Sequence, residues 1–298
     1  MKQLTRRDFI KTSSILALPI SQSSFGSETQ DLEQKIIINL PSYSLDLINF
    51  ENGKFREQYS FEVGIGKGSN GRAPTPLGNG FISDKREKVI FRYGADYPLL
   101  NLKKGDIIRW TNTFDENGKP QAYKMPYNEI RGLGMKIKDQ KTNKEITSCV
   151  IHSTTDEFTL GTPCSSGCIR VGMNDMVKLY DLINPELKTG NLKNPIPLNI
   201  LYDLVEFRYN FFKLHADIYN KPQDYIEKFK QLAQLTNFSD SFFNYSKLED
   251  YIEEDKQVFK QTHEEILNTL AKPYPKNFVP RNLKSKLHKT YFFKELKA

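Results

Sequence analysis

Val150-Ile151-His152-Ser153, followed by Gly161-Thr162-Pro163-Cys164-Ser165-Ser166-Gly167-Cys168-Ile169-Arg170, is the most informative stretch of this 298-residue chain. The first four residues form a short apolar run that ends on a histidine, as a buried strand does. The second segment brings two cysteines, a Ser-Ser-Gly turn and an arginine together within a few positions. Just beyond it, Met176, Leu179, Tyr180 and Ile183 recur at helical spacing, with Asn174 placed to cap the helix start.

On either side of this stretch, from about residue 35 to 220, the pattern is mostly period two. Tyr59, Phe61, Val63 and Ile65 alternate with Ser60, Glu62 and Gly64. Similar short runs occur at Ile36 to Leu40, Leu45 to Ile48, Val89 to Phe91, Asp106 to Trp110, Leu133 to Lys138 and Ile196 to Tyr202. Asn52-Gly53 and Glu116-Asn117-Gly118 are turn signals between them. Many strands with one helix among them predict a mainly β domain, sandwich-like or barrel-like, over 35–220. After Asn220 the spacing becomes helical, over Asp224 to Phe238 and Leu248 to Leu270, so residues 221–298 read as a helical C-terminal region with a basic tail. The fold as a whole is α+β, and the prolines at 273, 275 and 280 mark the closing segment as the part expected to be mobile.

Composition narrows the function classes. The formal net charge is +7, and the segment from Lys272 onward carries all of it, with eight Lys or Arg against one acid. A nucleic-acid-binding face on the body is therefore not expected, because phosphate neutralisation needs basic residues on the folded surface. No stretch approaches the ~20 apolar residues of a membrane-crossing helix, so no transmembrane span is expected in the mature chain. Three cysteines exclude a disulfide scaffold. The N-terminus reads as an address: Lys2, Arg6 and Arg7 precede the apolar Ile15-Leu16-Ala17-Leu18-Pro19-Ile20 and a small, polar exit to Ser27. Arg6-Arg7-Asp8-Phe9-Ile10-Lys11 resembles the twin-arginine export signal, which implies residues 1–26 as a signal and a periplasmic or cell-wall location.

A nucleophilic cysteine needs an imidazole to take its proton, donors for the oxyanion, and a group that positions substrate. Here Cys168 is the candidate nucleophile and His152 the candidate base, its second ring nitrogen held by a hydrogen bond that sets the tautomer. Gly167 lets the backbone approach a substrate closely, and Arg170 offers a planar fork for a carboxylate. Spacing alone leaves both a structural and a catalytic reading of this cysteine and histidine open.

His152, fifteen intervening residues, and Cys168 within Ser165-Ser166-Gly167-Cys168-Ile169-Arg170 resemble the signature of the L,D-transpeptidase (YkuD-type) catalytic domain. Pro74-Thr75-Pro76-Leu77-Gly78-Asn79-Gly80-Phe81 resembles that family's Thr-Pro-x-Gly-x-Phe segment with one extra residue, and Ile36 to Gly66 its opening strands. The resemblance implies a β-sandwich-like domain and, as substrate, the peptide stem of peptidoglycan. It implies that Cys168 attacks the carbonyl of the third stem residue, expels the terminal D-alanine and holds a thioester, which an amine from a neighbouring stem resolves into a 3-3 cross-link. It further implies the backbone N–H groups of Gly167 and Cys168 as oxyanion donors, Arg170, Ser153, Ser165 and Ser166 around the substrate, and no metal or organic cofactor. The family often has His at the position of Ser166 and Gly at that of Ser153, a difference that bears on substrate preference. Water in place of the amine gives a carboxypeptidase or endopeptidase, and a non-catalytic peptidoglycan-binding module is the alternative from another class.

Other residues carry weaker signals. Cys149 and Cys164 admit either a bridge or two buried thiols. His215 sits in a strand-like run and reads as structural, while His263 and His288 have no second ligand at metal-binding spacing.

Overall fold

The computed structural model describes residues 32–68, 74–87, 89, 103, 110–114, 120–124, 130–154, 156–208, 211–220, 225–235, 245–272 and 278–292. Residues 1–26, where an export signal is expected, the loop at Tyr93 to Pro98 and most of Asp115 to Tyr127 lie outside the described residues.

The chain opens on Leu32–Asn39 (β1), paired antiparallel with Ser44–Glu51 (β2). Asn52 and Gly53, at φ +51° and +69°, then make the tight hairpin that their sequence predicts and lead into Lys54–Gly66 (β3). Gly78–Arg86 (β4) follows, then the separate hairpin Trp110–Phe114 (β5) and Pro120–Lys124 (β6). Next come Gly132–Asp139 (β7), Glu145–Ile146 (β8), Val150–Thr154 (β9), a 3-10 turn at Glu157–Thr159, Pro163–Ser165 (β10) and Ile169–Gly172 (β11). The helix Met173–Leu182 (α1) leads to Gly190–Leu201 (β12).

Around the main sheet the order is β3-β11-β9-β7-β4-β12-β1-β2, and β2 pairs again with β3. The long β3 makes this closure: residues 54–62 pair with β2, while Val63 and Gly64 pair with β11. The ring is thus barrel-like, and it buries Ile36, Ile38, Leu45, Leu47, Val63, Ile65, Ile137, Ile151, Ile169 and Val171. Met176, Leu179 and Tyr180 of α1 join the same core. Asn174 does not cap this helix: Gly172 stands at the cap, and the Glu157 carboxylate accepts from the Met173 amide at 2.8 Å. A carboxylate from another segment does the work expected of a local side chain.

Beyond β12, Val205–Arg208 (β13) and Phe211–His215 (β14) form a sheet whose third strand is His288–Phe292 (β15). Between them run Tyr225–Leu235 (α2), Tyr245–Leu270 (α3) and Arg281–Ser285 (α4). Two sequence expectations change here. The closing segment is structured over 281–292, and β14 and β15 pair across the boundary placed at residue 220. Phe229, Ile252, Phe259, Ile266, Leu283 and Tyr291 share one core with the barrel residues. No helix among the described residues is long and apolar enough to cross a membrane.

His215 has no exposed surface and faces His288 in the β14–β15 register, Nδ1 to Nδ1 at 2.9 Å, so one ring donates and the other accepts. Burial, then His215 and Lys213, hold His288 far below its ordinary pKa, and burial followed by Arg170 brings His152 down to about 4. Above pH ~6.5 these rings are neutral in both folded and unfolded chains, so they add no pH dependence. Below that value only the unfolded chain takes up their protons, and stability falls by about 1.4 kcal/mol per pH unit for each ring. Urea midpoints are therefore expected to drop between pH 7 and pH 5, less steeply in His288→Phe; a midpoint unchanged over that interval contradicts this account.

Candidate active site

The site is made by two neighbouring parallel strands. Ile151 pairs with Ile169 and His152 with Arg170, so β9 and β11 run in register. Residues opposite one another on parallel strands project to the same face, and alternate residues to the other. Ile151, Ile169 and Val171, all fully buried, take the core face. Val150, His152, Cys168 and Arg170 take the opposite one. Cys168 and His152 are then diagonal neighbours on this face, with Cα atoms about 8 Å apart from the strand spacing and rise. That separation is within reach of a thiol and an imidazole that lean toward one another.

The strand on the other side of β9 clears room. Gly132 lies opposite His152 and Gly134 opposite Val150. A Cβ on Gly132 would overlap Val89, and Val89, Ile130 and Val150 form a small apolar cluster against which Cys168 packs. Two glycines at alternate positions of a strand strip one sheet face of side chains. This signal, present in Gly132-Leu133-Gly134, was absent from the residues that the motif singles out.

Burial governs the charge states. It raises the Cys168 thiol, while a backbone hydrogen bond from Val150 and the Arg170 guanidinium pull the other way. His152 is 7% exposed, and its Nδ1 lies 2.8 Å from the Ser153 carbonyl. In the tautomer that donates this bond, the proton-accepting lone pair belongs to Nε2, which is the arrangement a general base needs. A thiol held up and an imidazole held down rest as a neutral pair. Arg170 lies 4.0 Å from the Asp156 carboxylate, and its Nε is buried without a hydrogen-bond partner, so donor capacity remains for an anionic ligand.

The loop that leads into Cys168 is tied from several sides. Gly167 has φ +118°, a conformation that side-chain-bearing residues rarely adopt. Its amide donates to Ser165 Oγ at 3.1 Å, and Ser165 Oγ donates to the Cys168 carbonyl at 2.5 Å. Thr75 Oγ1 donates to the Gly167 carbonyl at 3.0 Å and accepts from the Gly66 amide at 2.8 Å. Tyr219 OH donates to the Gly66 carbonyl at 2.6 Å and accepts from the Thr75 amide at 3.2 Å. Stacking on Tyr202 and a hydrogen bond donated by its own amide to the Tyr202 hydroxyl hold Tyr219 itself. Thr75 and Tyr219 were not among the residues expected at the site.

The remaining expected residues divide. Ser166 is exposed beside the thiol loop. Ser165 is buried, and both its bonds staple the loop. Ser153 points to the face away from Cys168 and accepts from the Arg131 amide at 3.1 Å. Both hydroxyls are thus engaged in structure where substrate contact was expected, and the Gly167 amide is engaged by Ser165. All three cysteines are free thiols. Cys164 fills the space against Gly64, while Cys149 is pushed up to about 11 by burial and by nearby Cys168. Among the described residues no group of three or more His, Cys, Asp or Glu is placed to hold a metal ion.

Thr75→Val keeps the side-chain shape but leaves the Gly66 amide and the Gly167 carbonyl without this partner. The expected cost is about 1–3 kcal/mol in urea denaturation, together with altered alkylation of Cys168 by iodoacetamide. Unchanged stability and an unchanged alkylation rate would show that the hydroxyl does not brace the loop.

No curated protein sequence matches the chain. Solved structures similar to it include Bdellovibrio bacteriovorus Bd1075, at 15% identity and TM-score 0.35, covering 81% of this chain and 63% of that one. A fused Zn-dependent amidase/peptidase/peptidoglycan-binding domain-containing protein from Clostridium acetobutylicum has 12% identity and TM-score 0.29, covering 58% and 54%. The helical cell shape determining protein Pgp2 from Campylobacter jejuni has 15% identity and TM-score 0.31, covering 58% and 49%. This chain therefore spans less than two thirds of the length of each. The model of the YkuD L,D-transpeptidase catalytic domain matches residues 33–196, more than half of the chain and the ring as far as the middle of β12, and the protein belongs to that family.

Proposed function

We propose that the protein is an exported peptidoglycan L,D-transpeptidase that uses Cys168 as nucleophile and His152 as base. The observation that carries this reading is the β9–β11 register, which pairs His152 with Arg170 just after Cys168, with His152 Nδ1 against the Ser153 carbonyl so that Nε2 is left to act as base. Family membership supports the reaction class.

In the first step His152 Nε2 takes the Cys168 proton as sulfur attacks the carbonyl of the third stem residue. The oxyanion is received by the Cys168 amide, and by the Gly167 amide if it releases Ser165. Collapse breaks the amide bond, His152 returns the proton to the departing D-alanine amine, and a thioester remains. A neighbouring stem's amine then attacks, gives its proton to His152 and displaces the thiolate, which is reprotonated. Arg170 holds a stem carboxylate through its open donors. Localisation beyond the membrane follows from the residues at 1–26 and is part of the proposal.

Three measurements test this. Intact-mass analysis after carbapenem exposure is expected to show one covalent adduct that Cys168→Ala abolishes; a wild-type chain without an adduct removes the nucleophile. Incubation with stem tetrapeptide is expected to yield cross-linked dimer, and tripeptide alone overturns transfer in favour of hydrolysis. Because the base must be neutral, the acylation rate is expected to hold level from pH 8 to pH 6 and to fall only near the His152 value of about 4. An acid limb at an ordinary imidazole value of ~6.5 would assign the proton to a different group.

A further inference from the structure

The sheet face that carries Cys168 continues beyond Arg170 into a groove that the reaction above does not use. On β3 and β11, Arg170 pairs with Gly64 and Val171 with Val63, so the next step of the register puts Gly172 beside Glu62 on that same face. There a groove of about 430 Å³ opens, lined by Glu62, Phe158, Gly161, Phe278, Arg281 and Lys284 among its residues. One wall comes from the barrel and the other from α4 and the residues leading into it. Phe278 is 59% exposed, an unusual state for a large aromatic ring, and it lies 5.9 Å from the ring of Phe158. Lys284 donates to the Leu160 carbonyl at the groove floor and is drawn toward Glu62, while Arg281 stands exposed at the rim.

We propose that this groove holds the sugar end of the peptidoglycan substrate while Cys168 works on its peptide. The inference rests on the function proposed above and adds a second recognition site to it. The exposed ring of Phe278, beside the half-buried ring of Phe158, offers an apolar face for the C–H surface of a pyranose, and Arg281, Lys284 and Glu62 supply donors and an acceptor for its hydroxyl and acetamido groups. The placement agrees. Gly172 lies four residues along β11 from Cys168, about 13 Å at strand rise, with Arg170 midway. Three stem residues extended from the scissile carbonyl reach about 10–11 Å, which brings the attached sugar to the near edge of the groove. A second stem peptide, rich in amine and carboxylate, gains little from an exposed phenyl ring. Phe278, Arg281 and Lys284 lie beyond the family match at residue 196, so the site is an addition of this chain's C-terminal region.

The test compares turnover of free stem tetrapeptide with that of the same tetrapeptide carrying its disaccharide. For the wild-type chain the sugar-linked substrate is expected to show a KM on the order of tenfold lower at similar kcat, as one good aromatic contact supplies. Phe278→Ala and, separately, Arg281→Ala are expected to remove that difference; both residues are exposed, so the fold tolerates the changes. Equal KM values in the wild type, variants that keep the difference, or variants that slow both substrates alike each overturn the sugar site. If neither substrate turns over and no carbapenem adduct forms, the proposed function fails and the groove is judged by co-sedimentation with peptide-stripped glycan strands. Pull-down of the wild type that Phe278→Ala loses supports the site, and no pull-down of the wild type overturns it.

Discussion

The pairing of β9 with β11 is the constraint on which the rest depends. It is held from the core side: Ile151, Ile169 and Val171 are fully buried, each worth ~1.5–3 kcal/mol of apolar burial. A slip of one residue would turn these three into the opening and drive His152 into the core. Apolar residues on one side of the sheet thus decide where the polar ones on the other side meet. The face that carries His152 and Arg170 needs no polar contact of its own to keep its register.

What the register does not supply is the shape of the loop before Cys168. That comes from a fully engaged set of hydroxyls and backbone groups, in which Ser165 closes the turn from within and Thr75 clamps it from outside. Tyr219, lying past the family match, completes the clamp through Gly66 and Thr75. Buried polar networks of this kind are costly when incomplete and rigid when complete. The rigid loop and the desolvated neutral pair are two aspects of one arrangement, since a dry pocket both stiffens the hydrogen bonds and suppresses charge.

Much of this was legible from residues alone where a local rule governs. Tyr59 to Ile65 alternates because one face of β3 is buried, and Asn52-Gly53 must turn because both positions take positive φ. Cys168, His152 and Arg170 stood out through their motif. The illegible parts are those settled by distant partners. Gly78–Arg86 was not among the expected strands yet forms β4, because β7 and β12 pair with it on both sides. The strand at His288–Phe292 follows a proline-rich segment and exists because β14 offers it an edge. Glu157 replaces Asn174 at the helix start, and Ser153 and Ser165 turn to backbone partners, for a similar reason: a hydroxyl's or carboxylate's partner depends on which backbone group folding brings near it.

The closure of the ring through β1 and β12 sets an order of events during synthesis. Ile36 pairs with Leu198 and Asn39 with Leu201, so these partners are roughly 160 residues apart in the chain. While the ribosome is still translating the interval, the outer edge of β1 presents unpaired amides and carbonyls beside Ile36 and Ile38, a template on which a second nascent chain can add a strand. Products that terminate before β12 therefore carry a sticky edge that the complete polypeptide conceals.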